Sequence, residues 1–297
     1  MLSILIPVYN YSINSLLTSL NKAVESLDCT YEILCLEDGS KSYLDDNKVA
    51  CISTKNTAHI ISDENIGSVA SRKLLAQKAK YDWLLFLDAD VKLIDNSLIH
   101  NYLNCFKSTY DAIYGGCSYD SVRPNDENIL RWKYGSVYEQ VNAKSRNKNP
   151  FKHLVSANFF IKKSIFLEVS SEIKSKSYGN DLFFASIMKS NNVKVLHIDN
   201  FVIHQGLDSN EKFLQKVKQA VYNLYKHYQS NTIEPYENSL LKTFKKAEKL
   251  YLNRLIALLF HLTESPIKKH LLGSNPSIKL LQFYKLGYLC SLSIKKK

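Results

Sequence analysis

Two aspartates two residues apart, Asp88 and Asp90, stand at the end of the apolar run Leu84-Leu85-Phe86-Leu87. Carboxylates so spaced at a strand end can hold one hard divalent cation, directly or through water, and can also hydrogen-bond a ribose. Mg²⁺ or Mn²⁺ held in this way bridges a diphosphate and offsets the negative charge that grows as a phosphate leaves. A solvated loop with two acids is the plainer reading, and the apolar run before the pair argues against it. A second acidic cluster, Glu37-Asp38-Gly39-Ser40, follows Ile33–Leu36. A carboxylate there can accept the imide N–H of a uracil ring, although Asp-Gly-Ser is equally good turn chemistry. A third feature is Asn65-Ile66-Gly67 ahead of Arg72. Gly67 would open a helix and place Arg72 a turn or more inside it, where a guanidinium either clamps a pyrophosphate or lies on the surface.

The surrounding elements must bring these clusters together. Leu2–Val8 is a near-continuous apolar run, as a strand buried on both faces of a parallel sheet reads, and Pro7 suits its end. Ser12–Leu27 has apolar residues at helical spacing, Tyr31–Leu36 and Ala58–Ser62 read as strands, Gly67–Ala79 as a helix, and Trp83–Leu87 as a fourth strand. The order strand, helix, strand, loop, strand, helix, strand predicts an α/β fold with a mainly parallel sheet. In such sheets ligands bind beyond the carboxyl ends of the strands. Tyr9-Asn10, Glu37-Asp38 and Asp88–Asp90 are therefore expected at one edge. Further on, Ala112–Tyr114, Asn158–Ile161, Val193–Leu196 and Phe201–His204 read as strands and Asp181–Ser190 as a helix. The polar segment Arg123–Pro150 reads as a mobile excursion. From Asn210 to Leu262 the period is helical, with a break near Glu234-Pro235.

Taken with their order and spacing, Ser3-Ile4-Leu5-Ile6-Pro7-Val8-Tyr9-Asn10, Glu37-Asp38-Gly39-Ser40, Asn65-Ile66-Gly67 with Arg72, and Leu87-Asp88-Ala89-Asp90 resemble family 2 glycosyltransferases of the GT-A fold. The resemblance covers roughly residues 1–205 and is specific as a set. It implies a Rossmann-like catalytic domain over residues 1–205, with residues 206–297 as a basic helical extension. It also implies an inverting transferase that uses a nucleotide-diphosphate sugar, a UDP-sugar first, together with Mn²⁺ or Mg²⁺. By that likeness Pro7, Val8 and Tyr9 line the nucleobase pocket, and Asp38 pairs with the base. Arg72 contacts the diphosphate, Asp88 the ribose or donor, and Asp90 the metal. Asn158 lies in the segment beneath the donor sugar, and His204, at a strand end, is a further metal ligand. The base that takes the acceptor proton is expected in an acidic stretch that opens a helix. Here that stretch is Tyr178-Gly179-Asn180-Asp181-Leu182, so Asp181 is the candidate base and Asn180 stands where the family has a second acid.

Composition narrows the setting. The 297 residues carry a net charge of +11 with 45% hydrophobic residues, which suits a globular body. Residues 205–297 hold 16 Lys and Arg against 6 Asp and Glu, so nearly all the excess lies in the last third. The six cysteines form no CxxC pair, which signals neither zinc nor a redox motif, and they read as reduced thiols of a cytoplasmic protein. No apolar run approaches the roughly 20 residues of a membrane span. Two apolar stripes in the tail, Phe213-Val217-Val221-Leu224-Tyr228 and Phe244-Ala247-Tyr251-Leu255-Leu258-Leu259-Leu262, lie beside lysines. Such helices either rest on the anionic inner face of the cytoplasmic membrane or pack on the catalytic body. No nucleic-acid recognition motif accompanies the charge. The acceptor is expected to be a glycan or a lipid-linked sugar, in keeping with bacterial surface polysaccharide or lipopolysaccharide synthesis. Two other readings share the α/β body: a sugar-phosphate nucleotidyltransferase, which needs a Gly-rich basic loop after the first strand that Val8 does not lead into, and a non-catalytic scaffold.

Overall fold

The computed structural model describes residues 1–25, 29–106, 108–173, 180–230 and 238–294, with the side chains of Asn180 and Asp181 outside that description. In chain order the elements are β1 (Leu2–Val8), α1 (Asn14–Glu25), β2 (Tyr31–Asp38), α2 (Leu44–Ser53), β3 (Thr57–Ser62), α3 (Ser68–Lys78), β4 (Trp83–Leu87), β5 (Val91–Leu93), α4 (Leu98–Leu103), β6 (Ala112–Tyr114), β7 (Cys117–Ser118), α5 (Ile129–Tyr138), α6 (Ala143–Arg146), β8 (Asn158–Lys162), α7 (Lys163–Ser171), α8 (Asn180–Ser190), β9 (Val195–His197), β10 (Val202–His204), α9 (Asn210–Gln229), α10 (Ser239–Lys249), α11 (Asn253–Leu271) and α12 (Ile278–Ile294). They fall into two units. One takes Met1–Asp120, Glu139–Lys176 and Asn180–Gly206; the other takes Ser121–Tyr138 and Leu207–Lys297.

Among the described residues the first unit is built on a seven-stranded sheet in the order β3-β2-β1-β4-β8-β6-β9. Strands β3, β2, β1 and β4 run parallel, and β8 is antiparallel to both of its neighbours. The apolar runs dictate this arrangement, because β1, β2 and β4 are buried almost throughout and need helices on both faces. Helix α1 turns Leu16, Leu17, Leu20, Ala23 and Val24 inward at helical spacing. The core packs Leu5, Leu36 and Phe86 with Phe159 and Phe166, and the Phe86 and Phe159 rings stack 4.7 Å apart. A small second sheet, β5-β10-β7, sets β10 antiparallel to β5 and opposes His204 to Val91. That pairing carries the end of a distant strand to the residue after Asp90.

Two segments depart from the expectation drawn from sequence. The stretch between β2 and β3, expected as a loop, contains α2, which turns Asn47 inward and leaves Val49 and Ile52 exposed. The Asn47 side chain earns its buried place by bonding: its Oδ1 accepts from Ile13 N–H, and its Nδ2 donates to Tyr11 O and Glu37 Oε1. The polar segment Arg123–Pro150 is not a mobile excursion but carries α5 and α6. Its second part, residues 139–150, belongs to the first unit and is anchored by Arg146, 1% exposed, whose five N–H groups reach Val141 O, Tyr114 O, Gly115 O, Ile198 O and His197 Nδ1 at 2.7–3.1 Å. The strand expected at Val193–Leu196 starts two residues later, as β9. All six cysteines are free thiols, four of them buried.

The second unit is helical. Leu130, Phe213, Leu214, Phe260, Leu271, Leu281 and Tyr284 form one cluster, and Val221, Leu224, Leu241, Phe244, Ala257 and Leu289 a second. Gly287 is required where α12 meets Phe260, since a Cβ there would stand 2.6 Å from that side chain. Asn238 caps α10 by accepting from Leu240 and Leu241 N–H. No helix among the described residues is long and apolar enough to cross a membrane.

Candidate active site at the carboxyl edge of the sheet

The parallel register of β1 with β2 and β4 places Tyr9-Asn10, Asp38 and Asp88–Asp90 at the carboxyl ends of three adjacent strands. The first two ends are tied to each other. Asn10, in the left-handed region at φ 50°, receives Lys41 and Ser42 N–H on its Oδ1, and its own N–H donates to Ser40 Oγ. Pro7 is half-buried, Val8 is buried and Tyr9 is 56% exposed, so of the expected nucleobase wall Tyr9 is the ring free to stack.

Asp38 is 4% exposed, and its carboxylate accepts Ile66 N–H at 2.6 Å and Gly67 N–H at 3.0 Å. The Asn65 Nδ2 group donates to Asp38 O. Gly39, at φ +68°, admits this loop closely, because a Cβ there would lie 2.4 Å from Asn65 N. Asp38 thus fixes the loop that starts α3, a task its sequence context did not announce. Each carboxylate oxygen keeps a second lone pair. Helix α3 in turn aims Arg72 back at the edge. The Arg72 guanidinium pairs with Asp88, while its Nε, though buried, has no partner among the described residues. Arg72 also lines a small pocket whose other walls include Val69, Phe159, Phe166 and Phe184, an apolar setting in which an anion would find its charge partner in this guanidinium.

Asp90 lies on the far side of Ala89. Its Oδ2 is 3.6 Å from His204 Nε2, and the two side chains are 27% and 12% exposed. Asp90 O accepts Gln205 N–H. Gly206 packs against the same carboxylate so closely that a Cβ would fall 1.8 Å from Asp90 Oδ2. His204 Nδ1 is buried without a partner among the described residues, and the Tyr119 ring lies 5.7 Å from the imidazole. Burial, and after it the nearby Asp90 charge, raises the Tyr11 hydroxyl above its ordinary pKa, so that phenol also faces this corner. A carboxylate and an imidazole at this separation fit two positions of one divalent cation. No group of three His, Cys, Asp or Glu side chains that could hold a metal occurs among the described residues, so other ligands, such as phosphate oxygens, would complete the shell.

Asn158 is the residue expected in the segment beneath the donor sugar. It is fully buried and spends both halves of its amide inside the protein: Oδ1 accepts from Tyr102 O–H at 2.7 Å, and Nδ2 donates to Gly116 O and Asn200 O. It braces the sheet floor behind the edge. Asp181 opens α8 in its backbone, and its side chain, with Tyr178 and Gly179, lies outside the described residues. Sequence reasoning overlooked Gly206, and it placed Asn10 at the edge without giving it a role. The signal for Gly206 was its place two residues after His204; Asn10 had the left-handed tolerance of asparagine after a strand.

A profile of glycosyl transferase family 2 matches residues 3–170, more than half of the chain. An uncharacterized glycosyltransferase of Synechocystis is 29% identical over 116 residues, which are 38% of this chain and 36% of that protein, so the chain matches about a third of its curated relative. Among solved structures, a Pyrobaculum calidifontis mannosyltransferase in complex with GDP-Man and Mn²⁺ aligns with a TM-score of 0.57 at 12% identity, covering 99% of this chain and 86% of its own. Staphylococcus aureus TarS 1-349 with UDP-GlcNAc aligns at 0.53 and 14%, covering 99% and 91%. Glucosyl-3-phosphoglycerate synthase of Mycobacterium tuberculosis, with Mn²⁺, UDP and glucosyl-3-phosphoglycerate, aligns at 0.51 and 13%, covering 75% and 78%. The fold shared with these proteins is GT-A, and on the profile match the chain belongs to glycosyl transferase family 2.

Proposed function

We propose that this glycosyltransferase moves a sugar from a nucleotide-diphosphate sugar, a UDP-sugar in our reading, to an acceptor hydroxyl with inversion at the anomeric carbon. The observation that carries the reading is the pairing of two acid corners on one strand end, Asp88 with Arg72 and Asp90 with His204. Tyr9 would stack on the base beside Pro7 and Val8, and the remaining lone pairs of Asp38 would accept the imide N–H. Asp88 would meet the ribose. Arg72 would trade part of its pairing with Asp88 for a diphosphate oxygen, using the Nε–H that no described residue meets. Asp90 and His204 would hold Mn²⁺ or Mg²⁺, which when bound neutralises charge on the leaving diphosphate. Asn158 keeps the floor beneath the sugar rigid.

In the transfer the acceptor oxygen forms its bond to the anomeric carbon as the bond to the diphosphate oxygen breaks. The acceptor proton passes to a carboxylate, for which Asp181 in the first turn of α8 is our candidate. We assign these steps to residues 1–205 and an accessory role to residues 206–297. A glycan or lipid-linked acceptor in bacterial surface polysaccharide or lipopolysaccharide synthesis, used at the cytoplasmic side, fits the basic extension.

Calorimetric titration with UDP and GDP, in Mn²⁺ and then in EDTA, tests the donor site. We expect UDP to bind, to need the metal, and to bind more weakly to Asp90→Asn. Failure of every nucleotide to bind in either condition would remove the basis of the proposal. Tighter binding of GDP would keep the site and change the base.

A further inference from the structure

Helix α11 is apolar on two sides. Ala257, Phe260, Ile267 and Leu271 turn into the second unit. Leu255, Leu258, Leu259 and Leu262, at spacing i, i+3, i+4, i+7, turn out of it and are 51%, 56%, 44% and 71% exposed. The turn before the helix continues the patch, with Leu250 at 64%, Tyr251 at 88% and Leu252 at 43%. Tyr251 holds a left-handed backbone at φ 58°, a conformation that a bulky residue rarely takes, and it carries the ring outward. Seven exposed apolar residues within thirteen positions form an apolar face of the sort that marks an interaction surface rather than scattered surface leucines.

The charges beside the face say what it meets. Segment Ser239–Leu271 holds seven Lys and Arg and two Glu. Both acids are engaged within the unit, Glu248 by Lys245 at 2.7 Å and Glu264 by Lys218 at 3.1 Å. Lys242, Lys246 and Lys249 follow one another along the exposed side of α10, while Arg254, Lys268 and Lys269 flank the leucines on α11, and all six are exposed. A second copy on the same face would set these cations against themselves. An anionic bilayer satisfies both features, since leucines and a tyrosine enter the headgroup boundary while the lysines stay with lipid phosphates.

We propose that the α10–α11 edge docks on an anionic lipid surface, with Tyr251, Leu255, Leu258, Leu259 and Leu262 inserted and the lysines of α10 on the headgroups. The inference rests on this exposed face and not on the transfer chemistry, so either can fail alone.

The test is flotation of the full-length protein with vesicles of phosphatidylcholine containing about 30% phosphatidylglycerol, against pure phosphatidylcholine. Wild type should float with the anionic vesicles, less so as salt rises, and not with the neutral ones. Leu258→Glu/Leu262→Glu should weaken binding by about tenfold or more. Its thermal unfolding midpoint should be unchanged, because both side chains face solvent. Lys246→Glu/Lys249→Glu should weaken binding while the leucines remain. Failure of wild type to float overturns the proposal, as does undiminished flotation of the leucine variant. A wild-type dimer that the leucine variant turns into a monomer, seen by light scattering, overturns it too and gives the face to a second copy.

Discussion

Two histidines in the first unit sit in polar clusters of opposite character. His197 is 2% exposed and fully engaged: its Nε2 donates to Pro150 O at 2.8 Å, so its Nδ1 accepts from Arg146 at 2.9 Å. Arg146 has no N–H to spare. His204 stands 3.6 Å from Asp90, with an Nδ1 that no described residue meets, beside an Asp88–Arg72 pair whose Arg Nε is likewise unmet. Buried polar groups in finished structure are satisfied. The first cluster is therefore complete as it stands and holds backbone in place. The second is left incomplete at the edge where a substrate would arrive. Completeness, rather than residue type, separates structure from function here.

The largest expected effect breaks the open cluster without touching the closed one. Asp90→Asn should lower transfer by about 10³-fold, roughly 4 kcal/mol, while the unfolding midpoint stays at the wild-type value. His204→Ala should follow in the same direction. Transfer at the wild-type rate in Asp90→Asn, with a donor and acceptor that turn over, would falsify its role.

The closed cluster should give the reverse pattern. Arg146→Met takes a donor from the carbonyls of Val141, Tyr114, Gly115 and Ile198; Tyr114 O and Gly115 O keep the N–H groups of Ile198 and Asn200, while Val141 O and Ile198 O lose the guanidinium. We expect about 3 kcal/mol of destabilisation by urea denaturation, with metal-dependent nucleotide affinity retained in the folded fraction. A stable Arg146→Met protein that no longer binds nucleotide would dissolve the contrast between the two clusters.

Gly206→Ala is a smaller and sharper intervention. The added methyl meets the end of the Asp90 side chain, which can swing, so the fold tolerates it while the carboxylate leaves its position beside His204. Nucleotide binding at a fixed, limiting Mn²⁺ concentration should weaken by about tenfold, the range for displacing a ligand's support, and saturating Mn²⁺ should restore most of it. A loss that saturating Mn²⁺ leaves unchanged would show that the glycine serves the nucleotide rather than the metal corner.

How much of this was legible in the sequence follows from the same distinction. Strands β1, β2 and β4 announce themselves because burial on both faces demands unbroken apolar runs, and Asp88, Asp90 and Asp38 are found simply as the polar residues that end those runs. Helix α2 was invisible, since it turns Asn47 in and Val49 and Ile52 out, against the periodicity that marks a helix. Residues 139–150 looked mobile because one buried arginine holds them through backbone carbonyls, and carbonyls leave no trace in composition. Asn158 shows the converse: an amide near a site reads the same in the sequence whether its hydrogen bonds are spent or open, and here they are spent. Gly206 matters only because β10 pairs with β5, a meeting of distant strands that no local pattern encodes.

The smallest effect tests the closed cluster by pH. Burial first, and then the neighbouring Arg146 charge, hold the His197 imidazole at a pKa of about 4, against an ordinary 6.5. The folded protein therefore refuses a proton that the unfolded chain accepts. Above pH 6.5 the imidazole is neutral in both states and its contribution is whole. As pH falls from 6.5 toward 4 the unfolded chain is protonated while the fold is not, and stability drains away by up to about 1.4 kcal/mol per pH unit, levelling off below. Carboxylates titrate in the lower part of that window, so the comparison must be with His197→Gln. That variant should start less stable at neutral pH, having lost the bonds to Arg146 and Pro150, and should decline less steeply between about pH 6.5 and 5 than wild type. Parallel curves for the two proteins would mean that His197 takes up its proton as readily folded as unfolded. The cluster would then have room for a second positive charge, and it would be no more closed than the one at Asp90.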